Sequence, residues 1–252
     1  MVEREVSGFL PSRYGLQFAN TFPSGPTVRL GPLDPRVIGI GDASGGLCGG
    51  MALTARDLWA AGVPAPPDTE PPANGTRRFT ALVRRQVQSL DWLRVPLRYA
   101  VLGVLHPDKP TRLGDLLGRE PVRVPTLLRE LPRIAAELDA GRPCLVELVR
   151  VGGATPGALV RDHQVLAWAY RASAASADGA DPADLARGGA LALRVYDPNH
   201  PGRDDVSLEV AVASDDGRPL RQRIALGQST GEPLIGFFRG PDLQDEPVTA
   251  WR

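Results

Sequence analysis

A glycine-flanked cysteine is the residue of this chain with the clearest chemical potential. Cys48 lies in the stretch 45–50 (GGLCGG), directly before the first strong helical pattern. Unpaired backbone N–H groups and the helix dipole favour negative charge at such a position, which promotes the reactive thiolate form. The glycines let a substrate backbone approach closely. Cys48 is therefore a candidate nucleophile, although a tight turn holding a buried thiol would have the same pattern.

A nucleophilic thiol needs a base, and His163 is the best-placed histidine for that role. It lies in the segment 161–170 (RDHQVLAWAY), at the start of an apolar strand that would hold its ring rigidly. The segment 195–202 (VYDPNHPG) ends a later strand in a turn that presents Asp197 and Asn199. Either side chain could hold the imidazole in the productive tautomer, so we predict Asp197 as the orienting residue and Asn199 as its substitute. Ordinary turn chemistry would also explain the Asp-Pro-Asn sequence.

The elements that must position these residues fall into a helical half and a strand half. Helical periodicity predicts helices over 51–62, 77–93 and 124–140. Pro132 is expected to kink or divide the last of them. After Gly141 the pattern predicts strands over 144–151, 164–170, 190–196, 206–213, 220–226 and 234–238. Residues 7–47 are interpreted as extended strands or loops, and 172–189 as a protruding loop, so the whole pattern indicates an α+β fold.

The chain order of these three functional elements resembles that of papain-like cysteine peptidases. The pieces LCGGM, DHQVLAWAY and VYDPNHPG are most similar to the bacterial C39-like branch of that superfamily. The resemblance extends over roughly residues 40–202, but only these short motifs are specific. It implies a papain-like α+β fold with the nucleophile helix packed on an antiparallel sheet. The expected organisation is a single domain over 1–252, with a helical subdomain at about 40–140 and a sheet subdomain at about 141–252 that includes N-terminal strands.

The resemblance also implies a function. A papain-like enzyme with this triad would be a cysteine-dependent hydrolase, a peptidase or amidase, that works through a thioester acyl-enzyme. Cys48 would attack the carbonyl, His163 would move the proton, and Asp197 would orient the imidazole. A peptide or amide substrate is implied, with no cofactor and no metal. An acyltransferase would use the same triad, and the sequence does not define an oligomeric state.

Position 42 departs from the pattern of that superfamily. Papain-like enzymes usually carry a glutamine six residues before the nucleophile, and this chain has Asp42 there. A carboxylate would repel a developing oxyanion, and losing one oxyanion donor costs about 100- to 1000-fold in rate. The Cys48 backbone N–H with Ser44, Gln17 or Asn20 could replace the donor, or Asp42 could be protonated. The remaining alternative is a papain-like binding module with weak or no catalysis.

Composition argues against several other classes of protein. The 252 residues carry 29 basic and 29 acidic side chains, so the chain lacks the basic footprint of a nucleic-acid-binding protein. Two cysteines and three histidines exclude a disulfide-stapled scaffold and a four-ligand zinc site of standard spacing. The charged N-terminus and the lack of an apolar run of about 18 residues predict no signal peptide and no membrane span. We expect a cytoplasmic protein, with Cys144 as an inert core thiol.

Overall fold

The computed structural model describes residues 1–23, 45–91, 120–150, 163–173 and 181–252. The first elements are β1 (Val2–Glu5), the short helix α1 (Pro11–Tyr14), and the long helices α2 (Cys48–Ala60) and α3 (Arg77–Ser89). A second helical region consists of α4 (Arg123–Pro125), a π-helical turn (Thr126–Glu130) and α5 (Leu131–Asp139). The remaining elements are β2 (Cys144–Val149), β3 (His163–Ser173), α6 (Pro182–Arg187), β4 (Gly189–Tyr196), β5 (Ser207–Val212), α7 (Leu220–Arg223), β6 (Ile224–Gln228) and β7 (Gly236–Arg239).

In the described part of the chain, seven strands form one antiparallel sheet. Six of them follow the order β6-β5-β4-β3-β2-β7, and β1 pairs with β3. Strands β2 and β1 pair with successive parts of β3: β2 with residues 163–167, and β1 with residues 169–172. The predicted α+β class is therefore confirmed.

Helix α2 is buried along most of its length. Met51, Leu53 and Leu58 are fully buried, since α2 packs against both α3 and β3. Burial of such side chains contributes about 1.5–3 kcal/mol each, which fixes the helix and the residue at its N-terminus. Within the described ranges, no helix combines the length and apolar character needed to cross a membrane.

The long helices and most strands agree with the predictions. Helix α3 ends at Ser89, a little earlier than predicted, and residues 92 and 93 lie outside the described residues. The third predicted helix is divided into α4, a π-helical turn and α5, and the last boundary, between Glu130 and Leu131, lies just before Pro132, where a kink or division was expected. Proline fits there because it occupies the first turn of α5, where its missing N–H costs nothing within the new helix.

Three short helices correct the predictions. Helix α1 lies in the segment predicted to be extended, because Pro11 presets a helical φ at its start. Helix α6 lies in the predicted loop, where the Asp181 side chain caps it by accepting a hydrogen bond from the Ala183 N–H. Helix α7 follows Pro219 and replaces the first half of the strand predicted over 220–226. The other parts of these segments, 24–44 and 174–180, lie outside the described residues.

Candidate active site

Cys48 is the first residue of α2, and its side chain is partly exposed. Helical geometry supplies no intrahelical acceptor for the N–H groups of a first turn. Leu47, at the N-cap, makes no side-chain capping bond, while the Gly50 N–H donates to Oε1 of Gln86 over 2.9 Å. The thiol therefore stands at the positive end of a long, well-packed helix, as the sequence predicted.

The two glycines after Cys48 allow its helix to pack closely. A Cβ at Gly49 would lie 1.8 Å from Oε1 of Gln164 and 2.3 Å from Oγ of Ser89. A Cβ at Gly50 would lie 2.3 Å from the Leu82 carbonyl oxygen. The two glycines thus allow α2 to pack closely against α3 and β3.

A Gly49→Ala variant is expected to lose about 2 kcal/mol of folding stability, although alanine is the better helix former. The added methyl group would overlap Gln164 Oε1, which accepts hydrogen bonds from Ser89 over 2.9 Å and Gln86 over 3.2 Å. Urea unfolding measures the loss. Gly227→Ala is the matched control, because nothing lies within 4 Å of a Cβ at Gly227. Equal stability of the two variants would contradict the packing described.

His163, the first residue of β3, joins the other two members of the predicted triad. Its Nε2 lies 2.7 Å from Oδ1 of Asp197, and the ring also hydrogen-bonds to the side chain of Cys48. Because Nε2 faces the carboxylate, Nδ1 is the nitrogen left for the sulfur. His163 is only 5% exposed, and Asp197 is fully buried. The structure therefore brings Cys48, His163 and Asp197 together in one hydrogen-bonded line.

The charges of this line stabilise one another. Burial alone would lower the pKa of His163, but the negative charges of Asp197 and Cys48, and hydrogen bonds to both, raise it well above its ordinary value. Burial would raise the pKa of Asp197, yet the imidazolium and several donors hold that pKa below its ordinary value. The site thus favours a protonated His163 beside the Asp197 carboxylate.

Two residues that the sequence did not reveal hold Asp197 in place. Gln228, the last residue of β6, donates from Nε2 to Oδ2 of Asp197 over 2.8 Å. Arg150 donates from Nη2 to Oε1 of Gln228 over 3.1 Å and lies 4.0 Å from the same carboxylate oxygen. Both side chains are mostly buried. They fix the carboxylate that in turn fixes the imidazole.

Neither a family model, nor a curated protein, nor a solved structure matches the chain. The papain-like assignment therefore stays a prediction from the sequence.

Of the two possible orienting residues, Asp197 is the one that contacts the imidazole. Asn199 acts on Asp197 through its backbone, whose N–H donates to Oδ1 over 2.8 Å. Its side-chain oxygen accepts a long hydrogen bond, 3.4 Å, from Nδ2 of Asn20. Asp197 is therefore the residue in contact with the imidazole, and Asn199 reaches that ring only through Asp197.

Of the side chains considered as oxyanion donors, the structure describes Gln17 and Asn20, and these two have different partners. Gln17 donates to the carbonyl groups of its own loop, at Pro11, Ser12 and Gly15. Asn20, in contrast, reaches the turn before the nucleophile. Asp42 and Ser44 lie outside the described residues.

Cys144 and His200 have ordinary surroundings. Cys144 begins β2, and burial raises the pKa of its thiol to about 12, as expected for an inert core residue. His200 pairs with Glu232, whose Oε1 lies 2.6 Å from its Nε2. Among the described residues, no group of three or more His, Cys, Asp or Glu side chains could hold a metal ion.

Proposed function

We propose that this protein is a papain-like, cysteine-dependent hydrolase that cleaves peptide or amide bonds through a thioester acyl-enzyme. The observation that carries the proposal is the hydrogen-bonded line from Cys48 through His163 to Asp197. Cys48 is partly exposed while its two partners are buried. A substrate can therefore reach the sulfur, while the Asp197 carboxylate behind the imidazole is shielded from water.

Formation of the acyl-enzyme follows from the charges of the site. The Cys48 thiolate adds to the carbonyl carbon and forms the C–S bond, which places negative charge on the carbonyl oxygen. The His163 imidazolium then gives its Nδ1 proton to the leaving amine as the C–N bond breaks. Asp197, held at Nε2, stabilises the imidazolium and keeps the ring in the plane needed for transfer.

Hydrolysis of the acyl-enzyme uses the same residues in reverse. His163, now neutral, takes a proton from a water molecule that adds to the thioester carbonyl. Collapse of this intermediate breaks the C–S bond, releases the carboxylic acid and restores the thiolate beside the imidazolium. If an amine adds instead of water, the same steps give acyl transfer.

The N-terminus of α2 supports the negative oxygen of both intermediates. The Cys48 N–H belongs to the first helical turn, where helical geometry leaves it for an external acceptor. The helix dipole adds a favourable interaction with the same charge. This arrangement supports the proposed acyl chemistry without any donor from position 42.

The proposal predicts an acyl adduct on Cys48. We expect p-nitrophenyl esters of N-blocked amino acids to give a burst of about one equivalent of nitrophenol, followed by slower turnover. Peptide mapping by mass spectrometry should place the acyl group on Cys48. A Cys48→Ala variant should lose the burst, whereas Cys144→Ala, which changes the buried thiol, should keep it. Equal ester cleavage by the Cys48→Ala variant would contradict the function.

A further inference from the structure

The side chain of Asn20 is tied to the nucleophile turn, defined here as residues 45–48. Its Oδ1 accepts a hydrogen bond from the Leu47 N–H over 2.6 Å. Gly46 makes room for this contact, because a Cβ there would lie 2.5 Å from Nδ2 of Asn20. The φ of Gly46 is +91°, a conformation that favours glycine. Both its conformation and its contact with Asn20 therefore require glycine at this position.

The same residue is tied to the orienting turn, defined here as residues 197–200. The Asn20 backbone N–H donates to the Pro198 carbonyl oxygen over 3.1 Å. Its Nδ2 donates to Oδ1 of Asn199 over 3.4 Å. Asn20 thus contacts the residue before the nucleophile and the two residues after the triad carboxylate.

The loop that carries Asn20 is itself anchored beside the triad. The hydroxyl of Tyr196, the residue before Asp197, accepts from the Leu16 N–H over 3.1 Å and donates to the Leu16 carbonyl oxygen over 3.3 Å. Tyr196 is fully buried, and Leu16 is nearly so. Asn20 is therefore presented from a fixed loop.

We propose that Asn20 is a positioning residue that locks the nucleophile turn onto the orienting turn. The inference rests on the proposed function. Cys48 and Asp197 come from elements far apart in the chain. Within the hydrogen-bonded line, the ring of His163 lies between their side chains. Asn20 joins main-chain groups of the two turns, the Leu47 N–H through its side chain and the Pro198 carbonyl oxygen through its own N–H, which fixes the distance that the ring has to span. Misplacement by about 1 Å costs such sites up to about 100-fold in rate.

The test compares Asn20→Leu with Gln17→Leu. Gln17 carries an amide in the same loop but donates to the loop's own carbonyl groups, so its loss should affect stability without affecting the thiol. We expect Asn20→Leu to lower the rate of Cys48 alkylation by iodoacetamide at pH 6 by about tenfold, and to move the pH profile towards that of a free thiol. Gln17→Leu should stay within about twofold of the unmodified protein.

Thermal unfolding and labelling of Cys144 show whether each variant is folded. If Asn20→Leu does not fold, Asn20→Ser, which is smaller and also removes the bond to Leu47, takes its place with the same expected tenfold loss. An unchanged pH profile in a folded Asn20 variant overturns the positioning role, and so does an equal loss in Gln17→Leu. Unmodified protein whose Cys48 reacts like a free thiol contradicts the proposed function instead.

Discussion

Replacing His163 with asparagine is expected to lower ester turnover by about 10⁴- to 10⁶-fold, the range seen when single members of a catalytic triad are removed. Asparagine could still contact Asp197, but it can neither stabilise the thiolate with a positive charge nor move a proton. The loss should appear in both the nitrophenol burst and the steady state, because acylation and deacylation both need the imidazole.

His200→Asn is the matched control for this variant. His200 lies three residues after Asp197, but its ring pairs with Glu232 and its side chain is 24% exposed. The control should keep its activity to within about threefold, since the backbone N–H that donates to the Asp197 carbonyl oxygen remains. A loss below tenfold in His163→Asn would show that His163 is not the base.

Replacing Asp197 with asparagine is expected to cost about 10³- to 10⁴-fold in turnover. The amide is neutral, so it cannot stabilise the imidazolium, and its NH₂ group favours the wrong tautomer of His163. The charge of Asp197 is one of the causes that raise the pKa of His163. Without this charge the pKa of His163 falls, so the imidazolium loses its proton at lower pH. The loss of activity at alkaline pH should therefore begin at lower pH than in the unmodified protein.

Asn199→Ala separates the two possible orienting residues. The variant removes the amide that accepts from Asn20 but keeps the backbone N–H that donates to Asp197. Its loss of turnover should therefore stay below about tenfold. A loss as large as that of Asp197→Asn would assign the orienting role to Asn199.

The three triad residues could be predicted from the sequence because each one lies at the end of an element with a clear local pattern. Cys48 precedes a helical periodicity, His163 begins an apolar strand, and Asp197 follows another strand within a turn sequence. Such patterns are local, so they are visible without knowing how the strands pair.

Gln228 and Arg150 could not be predicted in the same way. Gln228 ends β6, which is separated from β4 by β5, and Arg150 follows β2 on the other side of β3. Their contact with Asp197 depends on strand order, which hydrophobic alternation does not define. The short helices α1 and α7 were missed for a related reason, since four residues are too few to establish a helical period.

The rate of Cys48 alkylation by iodoacetamide, measured from pH 4 to 9, tests the central claim most directly. A free thiol is about 0.3% thiolate at pH 6, as follows from its ordinary pKa of about 8.5. With His163 held as an imidazolium beside the sulfur, we predict that Cys48 reacts at pH 6 at least about 30-fold faster than the same cysteine in the urea-unfolded chain. Cys144 should stay unlabelled in the folded protein, because it is buried. A pH profile of Cys48 that matches the unfolded chain would contradict an activated thiolate–imidazolium pair.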